Sequence, residues 1–257
     1  MPIQNPIPTF NPKDFHNNPI TNQFMPLAPG NTWVYGDPQD PQALDTVTVT
    51  NETKLVDGVE CVVVSDIAQE GKKVVERTTD YFAQDNQGNV WYFGEDTKTF
   101  QPGGSSTEGT WRAGVVPQGG TDPAGPGIIM LAHPEDHVNQ TYAEENAAPV
   151  ANDKATVTDL NARAETLSQT FRHCLQTTNT DLEGMIETKF YAAGVGFVRG
   201  EASDGTDALI SFTPGGTSLV QTMAGFGNQS AVHTTSPSKP EHAQLADIVA
   251  SHHAHHA

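Results

Sequence analysis

Basic residues are scarce in this chain: 13 lysines and arginines stand against 31 aspartates and glutamates, a formal net charge of -18 over 257 residues. Nucleic acid backbones are held by clusters of Lys and Arg, so nucleic acid is excluded as a partner. Attachment to anionic lipid is disfavoured for the same reason, while cations and neutral or basic partners are favoured. No apolar run approaches the ~20 residues a membrane-crossing helix needs, so no membrane span is expected. The opening Met1-Pro-Ile-Gln-Asn-Pro6 has neither the basic nor the apolar region of a signal peptide. That leaves a replaced leader, leaderless export or retention inside as the readings of the start. The 23 glycines, the 18 prolines and the many Asn, Thr and Gln lean towards an extracellular or periplasmic protein.

Cysteine is nearly absent too. Cys61 and Cys174 are the only two, each within a strand-like run. In an oxidising compartment a bridge between them would close a long loop and stabilise by up to roughly 4–5 kcal/mol in the chain-entropy model. The alternative is two separate buried thiols, each acting as a small hydrophobe. No pair of cysteines has the spacing of a structural zinc site. The chain also lacks a Gly-x-Ser-x-Gly nucleophile elbow and any phosphate-cradling glycine loop, which removes the usual esterase and nucleotide-binding routes.

What the chain has in quantity is β pattern. Tyr81-Phe-Ala-Gln-Asp85-Asn-Gln-Gly88-Asn89-Val-Trp91-Tyr-Phe-Gly94-Glu95-Asp96 reads as an antiparallel hairpin with a polar turn at its centre. Asp45-Thr-Val-Thr-Val-Thr50 alternates with period two, as does Met185-Ile-Glu187-Thr-Lys189-Phe-Tyr191. Trp33–Tyr35, Val59–Val64, Lys73–Gln84, Thr97–Gln101, Glu108–Arg112, Ile128–Leu131, Ala193–Val198 and Ala208–Phe212 complete the set of strand-like runs. The stretch 153–180 holds a helix-compatible piece near Leu160–Leu167, but its Thr and Val content favours two strands. Gly114–Gly127 is too rich in Gly and Pro for regular structure. These runs predict an all-β fold: a curved antiparallel sheet or half-open barrel of about ten strands. Residues 1–30 carry seven prolines and form an extended arm, 31–214 form the β domain, and 215–257 form a low-complexity, histidine-ended tail.

The chemistry-bearing residues each have a plain structural alternative. Asp80, Asp85, Glu95 and Asp96 offer oxygen ligands to Ca²⁺, but the EF-hand register is absent, and turn chemistry accounts for the Asp-Asn-Gln-Gly-Asn centre. His133-Pro-Glu-Asp-His137 brings two imidazoles and two carboxylates together, with Glu144, Glu145 or His173 as further ligands for Zn²⁺ or Cu²⁺. Pro134 argues against a zinc-binding helix there, and surface histidines are the alternative. His252, His253, His255 and His256 form a flexible cluster that binds such metals weakly. Trp33, Trp91 and Trp111 either line a cavity or fill the core. If a cavity exists on the concave side, its candidate contacts are Trp91, Glu95, Trp111, Glu187 and Tyr191.

Several motifs taken as a set carry a resemblance. They are Leu27-Ala-Pro-Gly-Asn-Thr-Trp-Val-Tyr35, Asp80–Asp96, Glu108-Gly-Thr-Trp111-Arg-Ala-Gly114, Pro126-Gly-Ile-Ile-Met130, Cys174-Leu-Gln-Thr177 and Lys189-Phe-Tyr-Ala-Ala-Gly-Val-Gly196. Over residues 20–200 the chain resembles a largely uncharacterised family of bacterial exported proteins with a Tyr-Ala-Gln-Asp…Gly-Asn-Val-Trp-Tyr hairpin. It departs from that family at Ala193, where the family's strand has proline. More loosely it is similar to the curved sheets of LolA-like lipoprotein carriers. The resemblance implies an exported β domain and carries no activity. The leading expectation is an exported binding protein that holds a small apolar ligand or a metal against the concave side of its sheet. The alternatives are a metal-dependent enzyme using His133, His137 and nearby carboxylates, and an interaction module of a surface assembly.

Overall fold

The computed structural model describes residues 5–16 and 19–216. Fifteen strands account for most of them, and the only helical pieces are two short 3-10 turns, Pro12–Asp14 and Pro134–His137. The first half of the chain supplies β1 (Thr32–Asp37), β2 (Asp40–Val56), β3 (Val59–Glu70), β4 (Lys73–Gln84) and β5 (Val90–Gln101). Three short strands follow, β6 (Gly104–Ser106), β7 (Trp111–Arg112) and β8 (Gly125–Met130). Then come β9 (Thr141–Ala143), β10 (Glu145–Asn146), β11 (Lys154–Glu165) and β12 (Thr170–Thr180). The last are β13 (Ile186–Ala192), β14 (Gly196–Glu201) and β15 (Thr206–Thr213).

The all-β class is as the alternation predicts, but fifteen strands replace the expected ten or so. The additional ones are mostly two to six residues long, too short for period two to register. β8 begins inside the Gly- and Pro-rich stretch read as irregular. It is admitted there because Gly127 lets two backbones approach: a Cβ at that position would collide with the Glu144 carbonyl and the Glu145 amide.

All neighbours pair antiparallel in the order β10-β8-β5-β4-β3-β2-β1-β15-β14-β13-β12-β11-β9, with β6 and β7 added along β5. The two ends of this order, β9 and β10, are separated in the chain by Glu144 alone. The sheet therefore curls round until its ends meet, and a nearly closed barrel results. At the join the Glu144 and Glu145 amides both donate to the Asp153 carbonyl, at 2.8 and 3.2 Å. Gly127→Ala would prise β8 from this seam. Its expected cost is about 2 kcal/mol or more, seen as a lower denaturant midpoint; an unchanged midpoint would mean the seam does not close the barrel in solution.

The arm lies over the outer face. Phe10 and Phe15 pack on Trp91 and Phe93 at centroid distances of 5.6–6.3 Å. Further on, the Thr21 and Asn22 amides donate to Gln84 Oε1 at 2.8 and 2.9 Å. Met25 and Leu27 then cover one end of the barrel against Trp33 and Tyr191. The proline-rich composition suits this course, since an overlying segment needs few backbone donors. Residues 217–257, with the histidine cluster, lie outside the described part of the chain.

Candidate functional site: a belt of buried carboxyls

Directly paired residues on neighbouring strands project to the same face, as do residues two apart on one strand. One continuous inner face can therefore be traced round the barrel. Glu95 pairs with Asp80, Thr78 with Asp66 and Asp66 with Val47. Asp45 lies two residues before Val47 and pairs with Tyr35, which pairs with Leu209. Asp207 pairs with Gly200, Gly200 with Lys189, Lys189 with Thr177 and Glu187 with Asn179. Glu144 reaches the same group from the seam: its carboxylate is in contact with the Asn179 side-chain amide and lies 3.7 Å from Lys189 Nζ.

Seven carboxyls thus share the interior: Asp45, Asp66, Asp80, Glu95, Glu144, Glu187 and Asp207, none more than 9% exposed. Lys189 is the one buried Lys or Arg among the described residues. Its ammonium lies 3.5 Å from Glu187 Oε2 and 3.7 Å from Glu144 Oε2, and it answers at most part of this charge. A buried carboxylate without a cation is expensive, so it takes a proton instead. Burial pushes the Asp45 carboxyl up to about 7, and those of Glu144 and Glu187 up to about 8 despite the attraction of Lys189. Burial also raises Asp80 and Asp207 well above the usual carboxylate range, and their acidic neighbours, Asp66 for Asp80 and Glu187 for Asp207, add to it.

The hydrogen bonds agree with protonation. Asp45, 2% exposed, is hydrogen-bonded to the Thr46 backbone and to another carboxyl, that of Asp66, and a bond between two carboxyls needs a proton on one of them. The Tyr92 hydroxyl lies 3.0 Å from Asp80 Oδ1 and 3.3 Å from Glu95 Oε2, yet it has one proton to donate. Room for Glu187 is made by Gly200, where a Cβ would collide with its carboxyl.

Of the residues expected to touch a ligand, Glu95, Trp111, Glu187 and Tyr191 are on this inner face, Trp111 as the direct partner of Glu95 and Tyr191 fully buried at the apolar end. Trp111 packs edge-on to Tyr92 at 5.3 Å as part of the core. Trp91 is on the opposite face from Tyr92, beneath the arm, with its indole N–H donating to Asp85 Oδ2 at 2.9 Å. Asp85 also accepts from the Gln87 and Asn89 amides, which makes the hairpin tip a closed turn. Cys61 and Cys174 are buried free thiols on β3 and β12. The residues that sequence reading missed are Asp45, Asp66, Lys189 and Asp207, and the signal was present. Each is polar, yet falls in phase with the apolar positions of its strand.

His133 and His137 flank the second 3-10 turn and share the wall of an open cleft of about 260 Å³ with Asp136, Asn89 and arm residues Asn5 and Pro6. Glu144 and Glu145 are not part of that wall; both are buried at the seam. Among the described residues no group of three or more His, Cys, Asp or Glu side chains is arranged to hold a metal ion.

No family model matches the chain, and a comparison with curated proteins finds no match. Two crystal structures are similar in outline. One is a candidate lipoprotein from Parabacteroides distasonis, 12% identical over 75% of this chain and 99% of its own, with a TM-score of 0.39. The other is a candidate exported protein with YmcC-like fold from Bacteroides fragilis, 11% identical over 75% of this chain and 100% of its own, with a TM-score of 0.42. Likeness at this level bears on neither activity nor ligand. No helix among the described residues is long and apolar enough to cross a membrane.

Proposed function

We propose that this is an exported binding protein whose barrel interior takes up a small organic cation, a mono- or diamine, against the carboxyl belt. The observation that carries this reading is the excess of buried carboxyls over buried cations on one continuous face. A ligand ammonium would replace protons on Asp45, Asp66 and Asp80 and restore the charge balance that Lys189 alone does not provide. The apolar end offers little room. Beneath Met25, Pro26 and Leu27 the free volume between Trp33, Tyr35, Tyr191 and Phe197 is about 10 Å³, room for roughly one water. An apolar ligand is therefore the weaker reading, and among the described residues a metal lacks a set of three ligands. Export is supported by composition, with its acidic balance and scarcity of Lys.

The test is thermal denaturation of the full chain at neutral pH with putrescine, against sodium chloride of equal ionic strength. A ligand that binds only the folded state raises the melting temperature in proportion to the logarithm of its concentration. The expected result is such a rise for wild type and its loss in Asp45→Asn. No rise, an equal rise in the variant, or a response to calcium chloride alone would overturn the amine reading.

A further inference from the structure

Lys189, Asn179, Glu144, Glu187 and Thr177 form a group that amine binding does not use in full. Lys189 is completely buried, and its Nζ lies 3.5 Å from Glu187 Oε2 and 3.7 Å from Glu144 Oε2, longer than an ordinary hydrogen bond to either. Its amine and the side-chain amide of Asn179 meet at one atom, Glu144 Oε2. The register explains how. Thr177 pairs with Lys189 and Asn179 with Glu187, so Lys189 and Asn179 are diagonal neighbours on one face of β12 and β13. Such diagonals are about 7–8 Å apart at Cα, within reach of a long side chain.

The surrounding groups are those that aminolysis of an amide requires. Thr177 Oγ1 donates to Asn179 Oδ1 at 2.6 Å and so polarises the carbonyl to be attacked. Glu187 lies beside the amine, and Glu144 beside the amide nitrogen that must leave. Burial excludes the water that would compete.

We propose that Lys189 and Asn179 become joined by a side-chain amide cross-link, with Glu144 and Glu187 moving the protons. In molecules where Glu187 is ionised and Glu144 protonated, Glu187 accepts a proton from the ammonium, and the freed Lys189 Nζ attacks Asn179 Cγ to form a new C–N bond. Glu144 protonates the departing nitrogen as the old C–N bond breaks. It then recovers a proton from the new linkage. Ammonia is the only product released, no electron is transferred and no co-reactant is needed. The result is a neutral amide in place of the buried ammonium, and a covalent tie between β12 and β13.

The test is intact-mass spectrometry of the denatured, reduced full chain. Wild type should be lighter than its sequence by one ammonia, whereas Lys189→Met and Glu144→Gln should each match their sequences. Met185 falls between the two linked residues, so cyanogen bromide should leave the fragments ending at and beginning after Met185 joined in wild type and separate in both variants. A wild-type mass equal to the sequence, or fragments that separate, overturns the cross-link. A loss of ammonia that persists in Lys189→Met assigns the change to another residue. Cross-linking that persists in Glu144→Gln overturns the role given to Glu144.

Discussion

Between pH 8 and pH 5 this protein should gain stability as acid is added. The usual acidic protein does the reverse, because its carboxylates are held below their ordinary values by cations and hydrogen bonds. Here the buried carboxyls are raised: Asp45 to about 7, Glu144 and Glu187 to about 8. Unfolding returns each to an ordinary value near 4, so in this window the folded chain binds more protons than the unfolded one. Stability is then complete below the unfolded values and is lost as the pH climbs through the folded ones. Each carboxyl so held contributes a slope of about 1.4 kcal/mol per pH unit, and two glutamates titrating together give roughly 2–3 kcal/mol per unit. Urea denaturation at a series of pH values measures the slope. A flat profile, or one rising with pH, would mean that cations or water already satisfy the belt. Acylation of Lys189 would remove an attraction that now lowers Glu144 and Glu187, and so would steepen the trend.

Trp91→Ala should cost about 3–5 kcal/mol and leave the response to putrescine unchanged. The indole is buried on the outer face between Phe10, Phe15 and the sheet, and its N–H is one of the donors that close the Asp85 turn. Removing it opens a cavity under the arm and leaves an acceptor short of a donor. Its ring contacts with Phe10 and Phe15 and its bond to Asp85 lie on the arm side of the sheet. Asp45→Asn should behave in the opposite way. At pH 8 it relieves a buried charge and costs little or nothing in stability, while abolishing the amine response. Denaturant midpoints and thermal shifts on the same two variants separate the roles. If Trp91→Ala lost the amine response while the protein stayed folded, the ligand site would have to be moved to the arm side of the sheet.

The hairpin at Tyr81–Asp96 was readable because long alternating runs flank a turn whose residues satisfy their own backbone. The direction its aromatics face was not readable. Period two says that Trp91 and Tyr92 oppose each other, but it does not say which is inside, and both faces of β5 are buried, one by the barrel and one by the arm. The strands β6 and β10 left no trace because two or three residues cannot show a period, whereas β7 falls within the strand-like run Glu108–Arg112. The seam through Glu144 was equally hidden, since it depends on Gly127 admitting a backbone more than fifteen residues away in the chain. The belt itself was legible in part. Asp45 stands in phase with Val47 and Val49, Asp66 with Val64 and Ala68, and Glu187 and Lys189 with Tyr191. A charge in phase with apolar positions is a local conflict, and such conflicts mark sites more often than they mark errors. His133 and His137 attracted attention by residue type, and among the described residues no third ligand is arranged beside them.

The central claim is that protons on the carboxyl belt are exchanged for a ligand cation. Titration calorimetry of putrescine into wild-type protein at pH 7, repeated in buffers of different ionisation enthalpy, measures that exchange directly. The account predicts a saturable heat that changes with buffer and corresponds to net proton release. Absence of binding, or binding whose heat is the same in every buffer, would contradict it.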